Sequence, residues 1–267
     1  MKLFKLLLVC AGSAALLSLA CGGIGKNGST PPSNTAANTN ASRASATPST
    51  SSDTAEPVTG VEKVKPAPGT GNVQGKVLYN GQPVAGIEVK LCEKFNRFFG
   101  GCSGQTYTAK TDSEGDYVVT NVPPATYEGL TVRVFDTDTV VFATTGIAGL
   151  STAKYEVAAD KTLFVRPTHL FKSDLKMLNP KAGSKVSAGG LELKWQEYPD
   201  AAYYKLSLYP SDSSVTSPYI GQRVEATAFP LDKPLPKGEY RVQLEAFNGS
   251  DQKLAESAND LKFTVTE

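Results

Sequence analysis

A chain of 267 residues with 27 lysines and arginines against 26 acids carries a net charge of +1. That near-balance, with no basic block interleaved with aromatics, excludes a nucleic-acid-binding footprint. A single histidine and four cysteines exclude a His-rich zinc centre, which would need cysteines or carboxylates gathered from afar.

In chain order, Lys2 and Lys5 precede an apolar run from Leu6 to Val9, which resumes from Ala14 to Ala20. A basic start, a short apolar stretch and small residues before a cut predict an export signal over 1–20, too short to span a bilayer as a mature helix. Its last residues, Leu17-Ser18-Leu19-Ala20-Cys21, resemble the bacterial lipoprotein lipobox, with Ser18 standing where leucine is usual. The resemblance implies that Cys21 is acylated, heads the mature chain and holds it on a membrane; each buried methylene would contribute about 0.8 kcal/mol. Gly22 after that cysteine implies export onward to an outer membrane, if the cell has one. The alternative is an ordinary signal peptide with a chance cysteine.

From 21 to 71 the composition turns to Ser, Thr, Asn, Ala, Pro and Gly, and no aromatic residue lies between Phe4 and Tyr79. Such a stretch buries too little apolar area to offset backbone entropy, which predicts a disordered tether. As a flexible coil its reach is about 40 Å. Glu62-Lys63-Val64-Lys65 reads as a solvated mixed cluster. Gly25-Lys26 fails as a phosphate loop, because Asn27 stands where Ser or Thr is required and no strand precedes it. No other cofactor motif is present.

About 195 residues, Asn72 to Glu267, remain to fold, which suits two sandwiches of roughly 90–100 residues each. In the first, Gln74-Gly75-Lys76-Val77 opens a strand and Asn80-Gly81-Gln82-Pro83 turns it; Ile87, Val89 and Leu91 alternate on the return. Thr111-Asp112-Ser113-Glu114-Gly115 is a second turn into Asp116-Tyr117-Val118-Val119, and Val122-Pro123-Pro124 leads to Tyr127. Short alternating strands punctuated by Gly, Pro, Asn and Asp predict a β-sandwich. These residues, with Pro83-Val84-Ala85-Gly86, resemble the carboxypeptidase regulatory-like (transthyretin-like) module over 72–168. The resemblance implies fold and leaves function open. Val140-Val141-Phe142 and Tyr155-Glu156-Val157 are the best strands of the less regular 136–159 segment. Asp112, Glu114 and Asp116 lack the helices and distant glutamate of a calcium loop, so they read as an Asx-type turn in which Gly115 supplies a positive φ. No metal site is predicted.

The second unit, 174–267, alternates with a period of two at Leu191/Leu193/Trp195, Tyr204/Leu206/Leu208, Tyr240/Val242/Leu244/Ala246 and Leu261/Phe263/Val265, the pattern of half-buried strands. With Leu235-Pro236-Lys237-Gly238-Glu239-Tyr240, it resembles a fibronectin type III-like domain. Leu235 to Tyr240 is one residue shorter than the usual tyrosine-corner spacing. The fold class is therefore all-β, two tandem sandwiches after a signal and a linker, with Pro167, His169 and Lys172 to Asp174 at the border. Trp195 reads as a core aromatic.

His169 would have to serve any Ser-His-Asp triad, and no G-x-S-x-G elbow supplies the serine; no catalytic residue is predicted and the chain reads as non-enzymatic. Two features point to sites. Cys92 and Cys102 remain after Cys10 leaves with the signal and Cys21 takes lipid; in an oxidising compartment they read as one disulfide, a free thiol pair being the alternative. Between them, Phe95, Arg97, Phe98 and Phe99 crowd a nine-residue loop that ends in Gly100-Gly101. Either this loop meets a partner, or Phe95 and Phe98 fold back to cap the first sandwich. The function expected is a cell-envelope display module. It would bind a glycan such as cell-wall polysaccharide, or an envelope protein; the alternative is an accessory subunit of a secreted enzyme or transport complex.

Overall fold

The computed structural model describes residues 54–55, 58–98, 101–145, 151–258 and 261–266. Every regular element among them is a strand, and no helix there is long and apolar enough to cross a membrane. Cys21, the expected lipid site, and the 1–20 signal lie outside the described residues.

The first sandwich is organised on β1 (Gly71–Tyr79), whose Val73 and Val77 point into the core while Asn72, Gln74 and Lys76 point away. Its tip, Asn80-Gly81, turns into the two-residue β2 (Gln82–Pro83). The return strand, β3 (Glu88–Asn96), does not pair with β1. It crosses to the opposite sheet, where it lies between β4 (Gly101–Lys110) and β7 (Gly129–Arg133), with β8 (Val140–Phe142) outermost. The partner of β1 is instead β5 (Asp116–Val122), antiparallel with Gln74 opposite Val118. Val89, Leu91, Tyr117, Val119, Leu130 and Val132 meet between the sheets as one core. Small pairs close its ends: β6 (Ala125–Tyr127) with β11 (Tyr155–Val157), and β9 (Thr144–Thr145) with β10 (Ser151–Thr152).

The last segment of this sandwich runs parallel to β1 in two pieces. β12 (Thr162–Phe164) pairs with Asn72–Gln74, and β13 (Thr168–Leu170) pairs with Val77–Tyr79. Pro167, with no N–H to give, falls in the break between them. This carries the chain to the tip of β1, where Leu170 is still fully buried in the first core.

Only Phe171 separates that residue from the second sandwich, where β14 (Lys172–Leu175) already pairs with β22 (Lys253–Ser257). The expected border region of several residues is thus a single one. One face of this sandwich is β15 (Met177–Asn179), β17 (Glu192–Trp195) and β20 (Ala228–Pro230). The other holds β18 (Tyr203–Pro210), β19 (Gln222–Val224) and β21 (Gly238–Phe247), joined by β22, β23 (Lys262–Thr266) and β16 (Lys185–Ser187). A three-stranded sheet facing a larger one is the arrangement that the fibronectin type III resemblance implies. The predicted inward rows are in its core, with Leu193, Leu206, Leu208 and Leu244 inaccessible and Leu261 packed at the edge. Trp195 is buried with its ring edge against Tyr204, 5.3 Å between centroids.

A correction falls on the tether. Residues 54–55 and 58–71, expected within the disordered 21–71 stretch, are held against the first sandwich. Thr54 bridges Lys154, the Val58 N–H donates to Phe164 O at 3.2 Å, and Pro66 is buried. This strap crosses the outward face of β1, which is why Asn72 and Gln74 are 1% and 7% exposed.

Candidate functional site

The disulfide between Cys92 and Cys102 is present, with 5.5 Å between their Cα atoms. The segment it closes is not a nine-residue loop. β3 continues to Asn96 and β4 resumes at Gly101, so most of the expected loop is an extended hairpin. Its register sets Phe95 opposite Cys102 and Lys94 opposite Ser103, after a shift between Cys92 and Lys94. A bulge there turns Cys92, formally opposite Thr106, toward Cys102.

The hairpin divides the expected aromatic cluster. Phe95 folds back: its ring lies 4.9 Å from that of Phe142, and its Cβ stands only 2.7 Å from where a side chain on Gly129 would begin. Phe98 stays out, 66% exposed, with the Arg97 guanidinium 4.9 Å above its ring. The Phe98 N–H donates to Asn96 Oδ1 at 2.9 Å, which fixes the turn. Phe99 lies outside the described residues. Beside the tip is a shallow cleft of about 300 Å³ lined by Phe95, Arg97, Phe98, Glu128, Thr152 and Lys154, among others. An aromatic ring with charged and hydroxyl groups at one rim can hold an amphipathic ligand face by stacking and hydrogen bonding together.

A larger hollow, about 540 Å³, opens on the same sandwich between β8 and β13, and His169 is on its wall. His169 is exposed on β13. Asp112 forms the expected Asx-type turn: its Oδ1 accepts from the N–H groups of Glu114 and Asp116 at 2.9 and 3.0 Å, and Gly115 has φ 73°.

That turn also does something the sequence reading missed. Lys63 Nζ from the strap lies 3.0 Å from Asp112, 2.9 Å from Glu114 and 2.6 Å from Asp116, while Lys76 pairs with Asp116 at 3.0 Å. The cluster raises the ammonium of Lys63 well above the ordinary lysine value through bonds to Asp116, Glu114 and Asp112. Its bond to Asp112 holds that carboxyl down. For Asp116, partial burial pushes upward, and the bonds from Lys63 and Lys76 overcome it. Glu62 to Lys65 are exposed as expected, but Lys63 is paired with three carboxylates across the strap.

The junction was missed as well. Tyr79 and Tyr198 hydroxyls meet at 3.2 Å, and Tyr198 donates to Asp174 Oδ1 at 2.9 Å. Asn80 donates to Asp200 at 2.9 Å and accepts from Asn248 at 2.8 Å. Lys172 stands 5.0 Å from the Tyr79 ring, which itself meets Phe135 edge-on at 5.5 Å. The turn of β1 is thus seated on loops of the second sandwich.

No family model matches this sequence, and no curated protein matches it. Solved structures do show similarity. The chicken CNTN1 FN1-FN3 domains are 15% identical, with 80% of this chain and 69% of that one covered and a TM-score of 0.26. The full-length major pilin SpaD from Corynebacterium diphtheriae is 10% identical, covering 71% and 64% with a TM-score of 0.29. Fibronectin(III)-like modules of Clostridium thermocellum CbhA are 9% identical, covering 72% and 89% with a TM-score of 0.26. The strand order given above carries the fold assignment without them.

Proposed function

We propose that this chain is a non-enzymatic cell-envelope lipoprotein, anchored through Cys21, that displays two β-sandwiches and contacts an envelope glycan through the hairpin tip. The first sandwich, in this reading, is a carboxypeptidase regulatory-like module used for binding. The observation that carries the proposal is the tip itself: a disulfide-closed hairpin that holds Phe98 exposed beneath Arg97 and beside a polar cleft. An aromatic residue fixed in the open on a rigid hairpin has little ordering cost left to meet on binding.

Affinity electrophoresis of the full-length chain in cell-wall polysaccharide from the producing organism tests this. Retardation of the wild type, abolished by Phe98→Ser without a change in melting temperature, is expected; equal retardation of both, or none, overturns the glycan reading. The anchor is tested separately, since Cys21→Ser should move the protein out of the membrane fraction. A second reading, a rigid spacer in a secreted assembly, is favoured by the one-residue junction at Phe171. It would be supported by co-purification with envelope proteins that survives Phe98→Ser.

A further inference from the structure

The strap is held by its peptide groups. Between Val58 and Pro66 its valines face solvent, Val61 at 87% exposure and Val64 at 45%, so apolar burial does not hold this stretch. Side chains of β1 instead grip its backbone. Gln74 uses both ends of its amide: Oε1 accepts from the Lys63 N–H at 3.0 Å, and Nε2 donates to Val61 O at 2.9 Å. Asn72 Nδ2 donates to Val64 O at 2.8 Å. An amide that accepts from one peptide N–H and donates to a nearby C=O copies the pairing of a neighbouring strand. These contacts take the peptide groups on either side of Glu62 and, at the bend over Lys63 and Val64, the Val64 carbonyl, whatever the side chains.

Two further contacts read sequence. At Gly60 the strap runs under the Phe164 ring, and an added Cβ would stand 2.7 Å from Phe164 Cε1, closer than carbon atoms pack. Three residues later Lys63 enters the cage of Asp112, Glu114 and Asp116. Glu62 also bonds to Thr162. The exit from this groove is the exposed turn Ala67 to Thr70, closed by the Thr70 N–H to Ala67 O at 3.0 Å.

We propose that the outward face of β1 is a peptide-acceptor groove, filled in cis by the chain's own strap, whose ligand class is a short segment with glycine three residues before a lysine and a bend at that lysine. The strap is its resident ligand, and the same segment of a second copy carries the matching chemistry in trans. The groove lies on a different face from the glycan tip, so neither proposal depends on the other.

The test uses the full-length chain in three forms: wild type, Gly60→Val and Lys63→Glu. Hydrogen exchange of the strap amides reads occupancy. Both variants should speed exchange at the Lys63 N–H by about tenfold or more, while core amides of β1 keep their protection. Lys63→Glu removes nothing from the core, so it stands if Gly60→Val fails to fold. A synthetic peptide of residues 58–66 is then added at about millimolar concentration, the level that cis tethering itself supplies. It should shift the side-chain amide signals of Asn72 and Gln74 in the Gly60→Val chain more than in the wild type. A peptide with Lys63→Glu should not. Unchanged exchange in both variants overturns the groove. So does a peptide that shifts neither amide, or one whose glutamate form binds equally well.

Discussion

The two sandwiches share one structural device and differ in how they close. Val122-Pro123-Pro124-Ala125-Thr126-Tyr127 and Leu235-Pro236-Lys237-Gly238-Glu239-Tyr240 have the same spacing of apolar residue, proline and tyrosine. In each, the tyrosine hydroxyl donates to the proline carbonyl four residues back at 2.9 Å. Burial pushes Tyr127 up to about 12 and raises Tyr240 too, so both hydroxyls keep the proton they donate. The shortened corner spacing thus closes in both. Beyond that, the second sandwich is finished by its own strands. The first takes a disulfide, a strap and a parallel return segment to cover the face of β1 and the end of β3. Both solutions bury a core, and in the first the return segment itself supplies Val165 and Leu170 to it.

The largest expected effect separates the two cores. Leu91→Ala and Leu206→Ala remove inaccessible side chains, each costing about 2–5 kcal/mol. The side-chain hydrogen bonds between the cores run through Tyr79 and Asn80, and polar contacts of that kind couple domains weakly. Trp195, the sole tryptophan, reports on the second sandwich alone. Leu206→Ala should move its fluorescence transition in urea, and Leu91→Ala should move only the part of the circular dichroism transition that tryptophan does not follow. A shared transition in both variants would show one cooperative unit instead.

Next is the disulfide. Reduction should destabilise the first sandwich by about 2–3 kcal/mol, for a short closed loop, and leave the Trp195 transition in place. Tyr127→Phe and Tyr240→Phe form a matched pair with a smaller effect. Each deletes a hydroxyl donating to a proline carbonyl and should cost about 1 kcal/mol in its own sandwich. Unequal losses in chemical denaturation would show that one corner is only decorative.

Much of this was legible in the residues. The alternating rows of the second sandwich, the Asx turn at Asp112 and the cysteine pair followed from periodicity, turn chemistry and compartment. What escaped was held by backbone atoms or long-range partners. The strap has no hydrophobic pattern because Gln74 and Asn72 bind its peptide groups, and Lys63 looks the same in sequence whether it meets water or three carboxylates. β3 reads as the partner of β1 because a turn joins them, although the ladder forms with β5. The Phe95–Phe99 cluster was visible, but its division depended on hairpin register, which the bulge after Cys92 set.

The smallest effect concerns acid. The groups facing the strap cage are Lys63 from the strap, Lys76 from β1, and Asp112, Glu114 and Asp116 from the turn. Asp112 and Asp116 have folded values below their ordinary ones. A carboxyl depressed on folding contributes stability that is present above its unfolded value, about 3.9, and is lost as pH falls through the folded value. Strap docking should therefore be constant from neutral pH down to about pH 4 and weaken below it. Neither core should respond over the same range, since these carboxylates stand at the surface. Salt should act in the same direction at neutral pH, because exposed ion pairs are screened. Strap exchange followed against pH, with the Tyr240 corner region as the internal reference, checks this. Equal acid sensitivity in strap and reference would trace the loss to global unfolding and erase the distinction between the two sandwiches.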